Sequence, residues 1–349
     1  MMNNRSIGLM VIAILAMGLV IYLHQASNRP EVDVQIGSLV FPELKGKLNA
    51  IQEVKLTSGG QTTTIDHKGN NWSIAQKGGY EADFAKLTGF LDGLAKAKYL
   101  ERKTSRPENF GELGLTGVDD SSSKATEVVI NTSDGSVYEL LIGHKSEGEH
   151  GYFVRKPSES QAWLVDHVTA ANSDPLHWIE PVVFSIEGDE VASVTDASAD
   201  GKKVLTVKRS ADSDNFTIEN LPKGAKLKYE TVADTLSRAL VNVRATDVRA
   251  RGEEPWKDAT TSDFKLKDGS EIVVRGMQDS NGQRWLRFDL TAAKKPSEAV
   301  SFIDASRLED FEFKVPDYTF EQFTKTMDDM IKKEEPEASN KKAAPAAGS

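Results

Sequence analysis

The chain runs through one pattern twice, and that duplication constrains the fold more than any single motif. From Ile51, the segments IQEVKLTSG, QTTTIDHKG and NNWSIAQ alternate apolar and polar residues between turn residues, the period of half-buried strands. From Glu190, the segments EVASVTDAS, KKVLTVKRS and DNFTIEN do the same, and Asn71–Ile74 aligns with Asn215–Ile218. A helical period follows in each copy. ADFAKLTGFLDGLAKAK sets Phe84, Leu87, Leu91 and Leu94 on one face, and ETVADTLSRALVNVRA does so with Val232, Leu236, Leu240 and Val243. Each copy then returns to strands across an Asp-Gly turn, Asp134–Gly135 and Asp268–Gly269. The final match sets AWLVD, ending at Asp166, against VSFID, ending at Asp304.

These patterns predict an α+β chain of two tandem related modules, each an antiparallel sheet with one packing helix, behind a single N-terminal transmembrane helix. The expected boundaries are an anchor over 1–30, a first module over 31–180, a second over 181–332 and a tail over 333–349. Trp72, Trp163, Phe216 and Phe302 occupy matched places. Large aromatics in alternating strands face the core more often than they stack on ligands, so all four are expected to be structural. Pro175 and Pro181 punctuate the linker DPLHWIEPVVFSI, and after Pro316 the stretch FEQFTKTMDDMIKK predicts a capping helix. The tail from Lys333 is rich in Pro, Ala and charge without periodicity, and is expected to be disordered.

The anchor rests on Ile7 to Leu23, seventeen residues without a charge. At the helical rise they span about 26 Å, the short end of a bilayer crossing. A cleavable signal is disfavoured because His24 or Gln25 falls where a small residue is needed before the cut. The chain has no cysteine, which excludes a lipoprotein anchor, a disulfide framework and thiolate chemistry. Arg5 precedes the segment while Arg29, Glu31 and Asp33 follow it, so the bulk is expected outside the cytoplasm, on the periplasmic side of a bacterial inner membrane. A net charge of −10 opposes phosphate backbones, so nucleic acid is not an expected partner.

The stretch NFGELGLTG carries Gly111, Gly114 and Gly117 but lacks the setting of a phosphate loop. It does not join a buried strand to a helix, holds no lysine, and has Glu112 where an anion would sit. It reads as a corner in which Phe110, Leu113 and Leu115 plug the core and glycines supply positive φ. With the tryptophan strand, the leucine-rich helix, this F-G-x-x-G-L corner, and strands reading LLIG, GYFVR and WLVD, the chain resembles the "domain of unknown function 4340" family of bacterial envelope proteins. The resemblance covers Ile51 to Asp166 well and the second half weakly. It implies genes beside an ABC-type exporter, an accessory role and no established catalytic residues.

The metal candidate is GHKSEGEHGY, with His144, Glu147, Glu149 and His150. Imidazole with carboxylate suits zinc or a harder divalent ion. A polar hairpin loop is the plainer reading, and the second copy has Gln278, Asp279 and Asn281 there instead. The acids Glu187, Asp189 and Glu190 read as a solvated turn, and no nucleophile-elbow or zinc-protease motif is present. The leading expectation is a non-enzymatic, membrane-anchored envelope protein without a cofactor. Its ectodomain would bind other envelope or transporter proteins, as an accessory subunit of an ABC-type transport complex. The alternatives are a solute- or glycan-binding module using a cleft between the halves, and a metal-dependent hydrolase built on His144 and His150.

Overall fold

The computed structural model describes residues 36–332 apart from 70, 120–122, 149, 214 and 254–255. Ile7–Leu23, Glu149 and the tail from Lys333 therefore lie outside the described residues. Among the described residues no helix is long and apolar enough to cross a membrane.

The first half runs β1 (Ile51–Ser58), β2 (Gln61–Lys68), β3 (Asn71–Ile74), β4 (Tyr80–Glu81), α1 (Phe84–Lys96), β5 (Tyr99–Arg102), β6 (Thr126–Thr132), β7 (Val137–Lys145), β8 (Tyr152–Arg155) and β9 (Ala162–Val165). The second runs β10 (Val182–Phe184), β11 (Val191–Ala197), β12 (Val204–Arg209), β13 (Phe216–Ile218), α2 (Asp234–Ser237), β14 (Val243–Arg244), β15 (Asp247–Ala250), β16 (Thr260–Leu266), β17 (Glu271–Gln278) and β18 (Arg284–Thr291). It closes with α3 (Glu298–Ser301), α4 (Ala305–Asp310), β19 (Phe311–Lys314), α5 (Asp317–Gln322) and α6 (Met327–Met330).

All strand pairs in the two large sheets are antiparallel. The first sheet has the order β4-β3-β2-β1-β6-β7-β8-β9-β5 and the second β13-β12-β11-β16-β17-β18-β19-β15. With β4 set aside, the two orders are the same. The register agrees as well. β1 slips against β6 between Ile51 and Glu53, and β11 slips against β16 between Val191 and Ser193. A further device recurs at the far edge. His67 stacks on Trp72 at 4.4 Å and contacts the Ile51 carbonyl, while Arg209 lies 4.7 Å over Phe216 and donates to the Val191 carbonyl.

The structure corrects several details. VSFID is not a strand: it belongs to α3 and the turn after it, and the counterpart of β9 is β19. Register sets Trp163 opposite Val154 and Phe313 opposite Leu286, so the aromatic matched to buried Trp163 is Phe313. Phe302 is 79% exposed, because Val300 is the residue α3 buries and a position two further on faces the other way. Phe84 is likewise exposed, at 58%: it opens α1, a turn before Leu87 meets the sheet, and Phe90 joins Leu87, Leu91 and Leu94 beneath the helix.

The second packing helix shrinks to the single turn of α2, although Val232, Leu236, Leu240 and Val243 are buried as their spacing requires. Asp83 caps α1 by accepting from the Lys86 amide at 2.9 Å, whereas no side chain caps α2. Thr231, Val232, Thr235 and Val241 are β-branched, and Asn242 turns out of the helix at φ 50°. The predicted C-terminal helix splits into α5 and α6, the latter started by a capping box between Thr326 and Asp329.

The linker is tied down. Ala82 bridges Ile179, the Asp83 amide donates to the Trp178 carbonyl at 2.7 Å, and the Glu180 amide donates to Glu81 at 3.0 Å. Across the seam, Tyr80 packs edge-on against Phe311 and Phe313, Lys77 pairs with Asp247 at 2.6 Å and Arg307 with Glu81 at 2.7 Å. The buried apolar side chains of the two halves form one continuous cluster through this contact.

Candidate functional sites

The glycine corner is a lock between two segments. Its chain turns at Gly114 (φ 67°), where the Leu115 amide donates to the Phe110 carbonyl at 2.8 Å. The amide of His144 on β7 then donates to the Leu113 carbonyl at 2.9 Å. A Cβ placed on Gly143 would lie 2.2 Å from that carbonyl oxygen, and one on Gly114 would lie 2.7 Å from the His144 ring. Close approach therefore demands glycine on both sides. Gly111 and Gly117 have open space where a Cβ would stand, so neither is required sterically. Phe110 and Leu115 plug a small core of their own with Val118, Ala125, Leu141 and Ala162, on the sheet face away from α1's main core, with Leu113 partly buried against it.

That lock governs the metal candidates. His144 lies over the corner, Glu147 and His150 are exposed in the loop beyond β7, and Glu149 lies outside the described residues. Among the described residues no three His, Asp or Glu side chains converge as a metal site. His150 instead helps line a shallow groove of ≈370 Å³ with Lys145, Tyr152, Asp166 and His167. There Asp166 accepts from the Lys98 amide at 2.7 Å and lies 3.0 Å from His167 Nδ1. His167 adopts φ 57°, which sets its carbonyl against Gly93 of α1. Its constraints are those of a turn.

Two features escaped sequence reading. The first is an arginine pin in each half. Arg155 pairs with Leu141 across β7–β8 as Arg287 pairs with Arg275 across β17–β18, the same station in the repeat. Arg155 lies 4.6 Å over Phe110 and Arg287 lies 4.4 Å over Trp256, so each clamps an aromatic from the loop that crosses its sheet's outer face. In the second half the pin is charged on both sides. Buried Arg287 donates through Nε to buried Glu312 at 2.8 Å, Arg249 adds a bond to Glu312 at 2.6 Å, and the Gly252 amide donates to the same carboxylate. Burial alone would raise the Glu312 pKa, but the bonds from Arg287 and Arg249 outweigh it and hold the carboxyl below its ordinary value. Arg251 and Arg275 converge on Asp289, so these guanidiniums are engaged by carboxylates within the fold.

The second is Asp196 on β11. It is 3% exposed, and neither carboxyl oxygen has a hydrogen-bond donor. The nearby Ser262 hydroxyl donates instead to the Phe323 carbonyl at 2.6 Å. Burial pushes the Asp196 pKa up to about 7, reinforced by Asp263 and opposed by Ser262 and Lys325. The repeat contained the signal: counting along β1 and β11 from their matched slips gives Asp196 the place in its half that Leu56, fully buried, holds in the other.

The family model described as a domain of unknown function (DUF4340) matches residues 72–269, more than half of the chain. The chain belongs to the DUF4340 family. Neither a curated protein nor a solved structure matches it. The DUF4340 match begins at Trp72 and ends in the turn between β16 and β17, so it takes in the glycine corner, Gly143 and the Arg155 pin. Arg287 and Glu312 lie beyond it. Gly114 and Gly143, both within the match, are in this chain the parts of a lock.

Proposed function

We propose that this DUF4340 protein is a non-enzymatic interaction module. It is held at a bacterial inner membrane by residues 7–23, faces away from the cytoplasm, and serves as an accessory subunit beside an ABC-type transporter. The carrying observation is the exposure of two large rings beside one rigid seam. Phe84 opens α1 three residues after Glu81, and Phe302 follows α3 five residues before Arg307. The Glu81–Arg307 ion pair therefore brings both segments to the same junction. Exposed aromatics on a rigid support are typical anchors of protein recognition. In support, Gly114, Gly143 and His144 are engaged in the lock, and Arg249, Arg251, Arg275 and Arg287 of the second half are held by Glu312 and Asp289.

The test is crosslinking in cells followed by purification of the full chain from detergent at its native level. The reading expects envelope proteins to co-purify, and expects Phe84→Ser with Phe302→Ser to reduce their recovery about tenfold, the scale of one lost aromatic anchor. Recovery of the wild-type chain alone would overturn it.

A further inference from the structure

Each half lays a segment of chain across the core face of its sheet and ties it there with a buried hydroxyl. In the first half, Thr63 on β2 donates to the Ser173 carbonyl at 2.7 Å, just before the linker turns at Pro175. In the second, Ser262 on β16 donates to the Phe323 carbonyl at 2.6 Å, midway along a C-terminal strap over 315–332. Both hydroxyl residues are fully buried. Their neighbours differ. Thr63 and Val128 flank Leu56 in the first sheet, whereas Leu205 and Ser262 flank Asp196 at the matched place in the second. One tie therefore stands beside an inert side chain and the other beside a carboxyl group.

Rings supply the rest of the strap's hold on the sheet. Phe320 covers Gly276, where an added Cβ would come within 3.0 Å of the ring. Phe323 packs edge-on against Phe264 and Phe288, at 5.9 and 6.0 Å. Further along, Met330 is buried and Ile331 bridges Leu227. The Ser262 bond fastens the middle of this segment.

A serine hydroxyl has one proton to donate. Protonated Asp196 makes no claim on it. Ionised Asp196 has two buried oxygens without a donor, and the hydroxyl opposite them is that of Ser262. If the proton turns to Asp196, the Phe323 carbonyl loses its partner; if it stays, the charge is left bare. Either outcome is costly beneath the closed strap, and both are relieved when the strap lifts and water enters. The surrounding charges leave this conflict in place. Asp263 on β16 opposes ionisation, while Lys325 on the strap favours it without bonding to the carboxylate. On α2, which packs against β11, the carboxylate of Asp234 accepts from the Phe216 amide at 2.6 Å. Leu205, facing Asp196 from β12, is apolar.

We propose that Asp196 and Ser262 form a latch: ionisation of Asp196 draws the Ser262 proton from Phe323 and lets the strap over 315–332 lift, uncovering Phe264 and Phe288. The direction follows from burial, which raises the folded value to about 7, above that of a solvated aspartate. The latch is therefore closed in acid and loosens as pH rises from about 4 to about 7.

Hydrogen exchange of the full chain, read on peptides by mass spectrometry and corrected for the intrinsic effect of pH, separates a lifting strap from general unfolding. From pH 5 to pH 7, protection of the strap should fall at least about tenfold, because opening releases the proton that Asp196 holds. The opening should also show a smaller urea dependence than the exchange of β16 and β17, since it exposes less surface. Asp196→Asn and Asp196→Leu, neutral at every pH, should both keep the strap's protection level across this range. Equal strap protection at pH 5 and pH 7, a fall that occurs only with the urea dependence of β16 and β17, or the same fall in both neutral variants would overturn the proposal.

Discussion

Asp196 is the residue whose chemistry departs furthest from its setting. Its counterpart Leu56 shows what the site accepts without cost, whereas a carboxylate with two unpartnered oxygens can be buried only by keeping its proton. An unfolded aspartate titrates near 3.9, and here the folded value is about 7. The folded state therefore holds the proton more tightly, and its stability falls as pH rises from about 4 to about 7 before levelling off. Three units correspond to about 4 kcal/mol. Urea midpoints measured from pH 4 to 8 should show that decline in the wild type, and Asp196→Leu should flatten it and be more stable at pH 8. Sequence made this residue legible only through its alignment with Leu56. Phe302 departs from expectation for a different reason: in the strand its match to AWLVD suggested, it would share a face with buried Val300, whereas the pitch of α3 turns it outward.

At the scale of elements, the corner and β7 behave as one unit. A methyl group on Gly143 would lie 2.2 Å from a backbone carbonyl that cannot move without losing the His144 bond. Gly143→Ala is expected to cost about 2–4 kcal/mol in a chemical melt, in the range of overpacked sites, whereas Gly111→Ala should be within about 0.5 kcal/mol of wild type. Arg287→Ala should be as severe, about 3 kcal/mol, since it removes one of the two arginines that offset a buried Glu312. Strands, hairpin turns and α1 were legible because their periods and Asp-Gly signals are local. The shortening of α2 was not, because its apolar spacing is satisfied equally well by successive turns. The arginine pins were not either, since each joins a strand to a loop far away in sequence.

For the whole molecule, the two sheets act through one seam. Tyr80 is buried against Phe311 and Phe313, and its removal opens a cavity at the only aromatic contact described between the halves. Tyr80→Ala should lower stability by about 3–5 kcal/mol and split a single calorimetric transition into two, one for each half. The duplication was legible up to its last strand. There, the inserted turns α3 and α4 displaced β19 from the place where sequence similarity had put it.

Each half carries its complete strand order in one unbroken stretch of chain, so the first sheet can close at β9 before β10 has been made. Tyr80 then waits on the ribosome for rings that arrive only with β19, near the end of translation. During that interval a finished first half has an uncovered aromatic, and on crowded polysomes a neighbouring chain's second half can reach it first. The expected by-product of rapid expression is an exchanged dimer, in which each seam is built from two different chains.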